Sequence, residues 1–309
     1  MQRPSEAAGV LATILKDPGG RMRLGWRLSL FVILTGVLAV AAAFVLPQGT
    51  LADSFALLVG AGAAGTILLA LDGRPAAALG FHVGRSAISE TALGLLLGSL
   101  VGAVVVALMA GVGVLTWAAE GGSPAGWLGG AASALLFLAV PAAAEEALLR
   151  GYPIQAIAEA RGPVAALMVT SGVFGAIHLG NPNVTVVGVI NVTVAGAFLG
   201  VVYLKTLSLW WATGAHIGWN WTHGYLADVP VSGLELMDAP LYDGVVSGPG
   251  WLGGGAFGPE GSVVATVVVV AATALCWRAS WLRPAEASVR AGALALNAVP
   301  LATSPGGQP

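Results

Sequence analysis

Hydrophobic residues fill eight long stretches of the chain, and each stretch is separated from the next by polar, glycine or proline residues. A helix of about 20 mostly apolar residues is needed to cross a bilayer core about 30 Å thick. We expect membrane-spanning helices near residues 27–46, 52–71, 91–114, 126–157, 163–180, 184–204, 208–226 and 262–282. The pattern therefore predicts an all-α fold, a polytopic transmembrane helical bundle of about eight spans.

Composition agrees with this pattern. The chain is 57% hydrophobic and only 9% charged, whereas soluble domains carry about 25% charged residues. Its 45 glycines are typical of helices that approach closely in lipid. We expect a lipid bilayer around most of the chain. A formal net charge of −2 gives no support to a nucleic-acid partner, so none is expected.

The distribution of positive charge predicts the topology. Lys and Arg remain on the cytoplasmic side of membrane proteins, and with the N-terminus inside, all 13 of them fall on that side or at the inner end of a span. The predicted outer loops carry only acids. An odd number of helices would not reproduce this division, so we expect both termini to be cytoplasmic. The expected location is the cell membrane, plasma or inner, as a multi-pass protein.

Four regions follow from these assignments. Residues 1–26 form a cytoplasmic segment, residues 27–283 the transmembrane domain, and residues 284–309 a cytoplasmic tail that we expect to be disordered. The outer segment, residues 227–261, is rich in glycine, proline and acids. It is expected to be a flexible external loop, with a cap over the helix bundle as the alternative.

A few polar side chains interrupt the apolar runs. Inserting an ionisable group into the hydrocarbon region costs about 2.5–3.5 kcal/mol, so each such group is a functional candidate. The fourth, fifth and seventh spans hold Glu145-Glu146-x-x-x-Arg150, Phe174-x-x-x-His178 and His216-x-x-x-Asn220. Each motif contains an i, i+4 pair, whose members share one helical face.

The spacing of these motifs places them at a similar depth. If the fourth and fifth spans form a hairpin about Gly162, Glu145 lies 17 residues before the turn and His178 lies 16 after it. At 1.5 Å per residue, both are about 25 Å from the turn. His216 and Asn220 come about 12 and 18 Å from the inner end of their helix, which is within helix tilt of the same layer. The sequence predicts one polar cluster.

The residue types in this cluster suit peptide hydrolysis. A carboxylate that faces an imidazole can activate a water, while a second imidazole and an amide stabilise the oxyanion on the attacked carbonyl. Alternatively, Glu145, His178 and His216 are three ligands for a catalytic zinc ion with a fourth position free for water. The residues alone leave the metal-free and the zinc version open.

Other functions fit some of the same residues. Intramembrane Glu and His also relay protons in proton-coupled transporters, and a bundle without catalysis can act as a membrane scaffold or immunity protein. Glu146 and Arg150 can form a purely structural ion pair that lets a charged turn enter the membrane.

The three motifs, in this order and on separate spans, resemble the CPBP intramembrane protease family, which includes the CAAX-prenyl endopeptidases and the Abi proteins. The resemblance covers about residues 140–225, the motif core. It implies an intramembrane endopeptidase whose substrate is a membrane protein or a lipidated peptide.

The resemblance also implies roles for the motif residues. Glu145 is expected to activate water together with His178. His216 and Asn220 are expected to stabilise the oxyanion or to share in a metal site. Glu146 and Arg150 are then expected to orient the pocket.

Overall fold

The computed structural model describes residues 14–292. Both termini, whose cytoplasmic placement stays a prediction, lie outside this range, as do residues 293–309 of the tail. The described part of the tail contains one short helix. In chain order the helices are α1 (Leu24–Ala43), α2 (Thr50–Leu71), α3 (Arg85–Gly111), α4 (Pro124–Glu146), α5 (Tyr152–Arg161), α6 (Pro163–Ile177), α7 (Val186–Thr206), α8 (Leu209–Trp221), α9 (Gly250–Gly253), α10 (Val263–Arg278) and α11 (Glu286–Arg290).

All eight predicted apolar runs contain a helix. Six helical segments of the described chain are long and apolar enough to cross a membrane, the longest being Pro124–Arg161, which joins α4 and α5. The all-α polytopic bundle is thus confirmed. In the seventh run, α8 has 13 residues and continues as a π-turn over Thr222–Leu226, so the helical course matches the predicted span 208–226. The last run forms a shorter helix than predicted, since α10 has 16 residues. At 1.5 Å per residue, α10 alone does not reach about 30 Å.

Side chains cap the starts of several helices. The hydroxyls of Ser123, Thr185, Ser208 and Ser262 accept hydrogen bonds from backbone amides in the first turns of α4, α7, α8 and α10. The first amides of a helix have no partner within it, so these caps fix where each helix begins. They thereby set the register of the helices that carry the motifs.

Small residues allow the backbones of α3 and α8 to lie in direct contact. A Cβ added to Gly98 of α3 would lie 1.9 Å from the carbonyl oxygen of Ala215, and one added to Gly218 of α8 would lie 2.2 Å from that of Leu95. Helices in lipid associate through such small faces. This contact fixes the position of α8, which carries His216 and Asn220.

Small residues also bring α7 close to α6. A Cβ on Gly196 would lie 3.1 Å from the ring of Phe174, and one on Gly200 would lie 2.6 Å from the side chain of Leu167. Both partners belong to α6. Packing of α6 against α7 therefore holds the Phe174-His178 motif in place.

The outer segment is folded, contrary to the expected flexible loop. Strand β1 (Leu115–Ala119) pairs antiparallel with β2 (Tyr242–Val246), and Trp117 lies opposite Gly244. Gly258, at φ 85°, approaches the backbone so closely that a Cβ there would lie 1.9 Å from the oxygen of Pro230. The glycines that suggested flexibility serve close packing and positive φ angles instead. The segment is a cap on the helix bundle.

An ion-pair network joins α1, α2 and α5. Arg27 of α1 contacts Asp72 at 2.6 Å and Glu159 at 3.3 Å, and Arg74 contacts Glu159 at 2.6 Å. The two carboxylate side chains are only 10% and 9% exposed. Each buried carboxylate in this network has an arginine partner, as expected for charges removed from water.

Candidate active site

The fourth predicted span bends where its motif lies. After α4 the helix widens into a π-turn over Ala147–Gly151 and continues as α5. π-turns are rare and occur mostly at functional sites. The turn follows directly after Glu145 and Glu146. These two neighbouring carboxylates face different surroundings.

Glu146 is the inner of the two carboxylates. Its side chain is fully buried, and its Oε1 accepts hydrogen bonds from Arg150 Nη1 and from His216 Nδ1, both at 3.0 Å. Arg150, also fully buried, donates to the carbonyl oxygen of Gly196 at 2.8 Å and lies 4.5 Å above the ring of Phe174. The predicted ion pair is present, and it connects three motifs.

Glu145 is the outer carboxylate and faces a cavity. Its side chain is 29% exposed, and its Oε2 lies 3.8 Å from Nε2 of His216. The cavity has a volume of about 230 Å³, and its lining includes Glu145, His178, His216 and Asn220. The structure therefore brings four of the six predicted site residues to one cavity. Glu146 and Arg150 lie behind its wall.

The hydrogen bonds of the two imidazoles decide which ring nitrogen carries a proton. Nδ1 of His178 lies 2.7 Å from the carbonyl oxygen of Phe174, which can only accept. Nδ1 of His216 faces the carboxylate of Glu146, which is paired with Arg150. In both rings Nδ1 is therefore the donor, and Nε2 is left for the cavity. The centre of the Phe174 ring lies 4.7 Å from the centre of the His178 ring.

The predicted zinc ligands are residue types that bind zinc, but their ligand atoms do not lie close together. A histidine ligand usually donates its second ring N–H to a carboxylate or carbonyl, as both histidines do. Among residues 14–292, however, three potential ligand atoms lie within 4.8 Å of one another only at Glu120, Asp238 and Asp243, an exposed group. The set of Glu145, His178 and His216 does not meet this distance.

The outer segment completes the cavity, which the sequence did not predict. Val231, Ser232, Leu234, Leu236 and Glu260 of this segment line the cavity wall. An acid within a stretch of glycine and proline is typical of an exposed loop. The signal in the sequence that could have indicated Glu260 is its position three residues before α10, where the chain returns to the apolar bundle.

Comparison with known families agrees with the motifs. Residues 126–222, about a third of the chain, match the model of a family described as type II CAAX prenyl endopeptidase Rce1-like. No curated protein matches the chain. The matched segment contains α4 to α8 and all six predicted site residues. The six apolar helices and this match together indicate a multi-pass membrane protein. Residues 126–222 are thus similar to the Rce1-like family of CAAX-type intramembrane proteases.

Proposed function

We propose that the chain is an intramembrane endopeptidase that hydrolyses a peptide bond with water activated by Glu145 and His178. The observation that carries the proposal is the shared cavity, whose lining includes both bases, His216 and Asn220.

The first step is the attack of water. The Nε2 lone pair of His178 orients the water by accepting one of its hydrogens, and Glu145 takes up the other as a proton. The water oxygen then forms a bond to the carbonyl carbon, and the electron pair of the C=O bond moves to the carbonyl oxygen. No covalent intermediate with the protein is formed.

The second step is collapse of the tetrahedral intermediate. Asn220 donates an amide N–H to the oxyanion, and the imidazolium form of His216 donates Nε2–H. Glu146 acts as a positioning residue, because the hydrogen bond that it accepts from Nδ1 of His216 holds the ring in place. Glu145 passes its proton to the amide nitrogen, the oxyanion re-forms the C=O bond, and the C–N bond breaks to give a carboxylic acid and an amine. The acid then passes its proton to the amine, and the products leave as a carboxylate and an ammonium group.

The distances between the ligand atoms of Glu145, His178 and His216 favour activation of water without a metal ion. Ligand nitrogens and oxygens of a tetrahedral zinc site all lie about 2.0–2.2 Å from the ion. They are therefore less than about 4.4 Å apart, whereas the three ligand atoms are not all within 4.8 Å of one another. Were zinc present, it would be held by Glu145, His178 and His216, and it would supply a bound hydroxide.

The test is peptide cleavage by the purified protein in liposomes, followed by mass spectrometry. Glu145→Gln keeps the shape of the side chain but removes the base, so we expect cleavage to fall about 10²–10⁴-fold. Glu120→Gln, at an exposed acid outside the cavity, is the matched control and is expected to retain cleavage. Equal cleavage by Glu145→Gln and the parent would contradict the proposal.

A metal measurement separates the two chemical versions. We expect elemental analysis of active protein to give much less than one zinc per chain, and a chelator to leave cleavage unchanged. Stoichiometric zinc that is lost together with activity would overturn metal-free activation. It would leave the role of the cavity itself intact.

A further inference from the structure

Glu260 is a carboxylate of the site cavity that lies outside the family-matched residues 126–222. It belongs to the outer segment, just before α10, and is only 5% exposed. None of the three motifs contains it, and the hydrolysis described above does not use it. The cavity thus holds a second acid besides Glu145.

Two cavity-lining side chains hold the Glu260 carboxylate in place. Nε1 of Trp219 donates to its Oε1 at 2.6 Å, and the Ser232 hydroxyl hydrogen-bonds with its Oε2. The backbone of Glu260 is fixed as well, because Nδ2 of Asn191 donates to its carbonyl oxygen at 2.7 Å. An indole N–H can only donate, so Oε1 is an acceptor. This arrangement suits an ionised carboxylate with a fixed orientation.

Glu260 differs from the other buried glutamates in forming no ion pair, although the buried imidazole of His223 interacts with it electrostatically. Within residues 14–292, Glu90 lies 3.2 Å from His82 and Glu146 lies 3.0 Å from Arg150, whereas Glu260 forms no ion pair. A buried carboxylate without a cation is costly, because hydrogen bonds alone replace only part of its hydration.

The cavity offers Glu260 no ion-pair partner. Among the described residues that line it, none is Lys or Arg. The imidazole of His216 is placed beside two other acids, because its Nδ1 lies 3.0 Å from Glu146 and its Nε2 lies 3.8 Å from Glu145. The negative charge of Glu260 is therefore left unmatched in the free protein, and an unmatched acid in a pocket attracts a cation.

We infer that Glu260 forms a subsite for a cationic nitrogen of the substrate. Its occupant is an ammonium or guanidinium group, supplied by a Lys or Arg side chain near the scissile bond or by the amino terminus of the peptide. This inference rests on the proposed hydrolytic function. The cation supplies the partner that Glu260 lacks in the free protein and replaces the water lost on burial.

A purely structural role for Glu260 predicts a different result. If its carboxylate only ties the outer segment to Trp219, a change at this position alters cleavage of all peptides alike. A cation subsite instead changes the ratio between charged and neutral peptides. The ratio is therefore the quantity to measure.

The experiment compares peptides that differ in one cationic group. An acetylated peptide with Lys near the cleaved bond is paired with the same peptide carrying norleucine, and a third peptide has norleucine and a free amino terminus. We expect the parent protein to prefer one cationic peptide over the neutral one by about tenfold or more in kcat/KM. The preferred peptide identifies the source of the cation.

Glu260→Gln tests the residue itself. Glutamine can still accept from Trp219 and contact Ser232, so the outer segment keeps its hydrogen bonds while the charge is lost. We expect the preference ratio to fall towards one. Glu235→Gln, at an exposed acid of the same segment, is the matched control and should keep the parent ratio. A ratio unchanged in Glu260→Gln would overturn the inference.

Binding separates this inference from the hydrolytic function. The same peptides are titrated calorimetrically into Glu145→Gln protein, where no cleavage is needed. Tighter binding of a cationic peptide, lost in Glu145→Gln/Glu260→Gln, supports the subsite even if the parent cleaves none of the peptides. Equal binding of all three peptides would overturn it, even if the parent is an active protease.

Discussion

Buried carboxylates occur both in the network that joins α1, α2 and α5 and in the site cavity, but their partners differ. In the network, Asp72 and Glu159 each have arginines within 3.3 Å. In the cavity, Glu145 has only an imidazole at 3.8 Å and Glu260 has no ion pair within residues 14–292. Matched charges make a stable junction between helices. Carboxylates without a matching cation are costly for folding and remain available to a substrate.

The pair of Glu146 and Arg150 should show the largest effect on stability, because both side chains are fully buried. Arg150→Met leaves the Glu146 carboxylate without its cation, and we expect a loss of about 3–5 kcal/mol in unfolding free energy. The measurement is thermal unfolding in detergent. Glu146→Gln/Arg150→Met removes both charges and should recover much of the loss. A single variant as stable as the parent would show that this ion pair does not support the fold.

Arg74 tests the network, with a smaller expected effect. Arg74→Met removes the contact to Glu159 at 2.6 Å and a hydrogen bond to Gln155 at 2.8 Å. Arg27 still contacts Glu159, so we expect a loss of about 1.5–3 kcal/mol in unfolding free energy. Peptide cleavage per folded molecule should stay at the parent level, because Arg74 does not line the cavity. A loss of cleavage without a loss of stability would contradict the purely structural role of the network.

The exposed acids beside β1 should give the smallest effect, and it depends on pH. The charges of Asp243 and Asp238, together with slight desolvation, raise the pKa of Glu120 above its ordinary 4.5. At Glu120 the folded state thus binds a proton more readily than the unfolded state, so the contribution of this group to stability is fully present below pH 4.5 and is lost as pH rises through the raised pKa.

Hydrogen exchange measures this effect at the strand pair. We expect protection factors of the β1 amides, corrected for intrinsic rates, to decrease as pH rises from 4.5. In Glu120→Gln the decrease should be weaker, because the repulsion is removed. Identical pH profiles for the parent and the variant would mean that these acids do not influence the β1–β2 pairing.

The sequence predicted the helical fold and the grouping of polar side chains at one cavity because both depend on local patterns. Apolar run length identified the membrane helices, and the cost of polar groups in lipid pointed to Glu145, His178, His216 and Asn220. Counting residues from Gly162 was enough to place Glu145 and His178 near one another, since the rise of a helix is constant.

Other features depended on contacts between distant residues. The spacing of the motifs could not predict the hydrogen bond from His216 to Glu146 or the π-turn that follows Glu146. The register of a helix can shift by one residue within a turn. The outer segment looked flexible because its glycines and prolines are typical of loops. Its role as a cap is evident from contacts in the structure, such as the packing of Gly258 against Pro230 and the hydrogen bond from Trp219 to Glu260.

The most direct test of the hydrolytic cavity is a structure of the Glu145→Gln protein with an uncleaved substrate peptide bound. The account predicts that the scissile carbonyl lies inside the cavity, with its carbon facing residue 145 and His178 and its oxygen facing His216 and Asn220. A peptide bound elsewhere on the bundle, or a scissile carbonyl out of reach of both histidines, would contradict it.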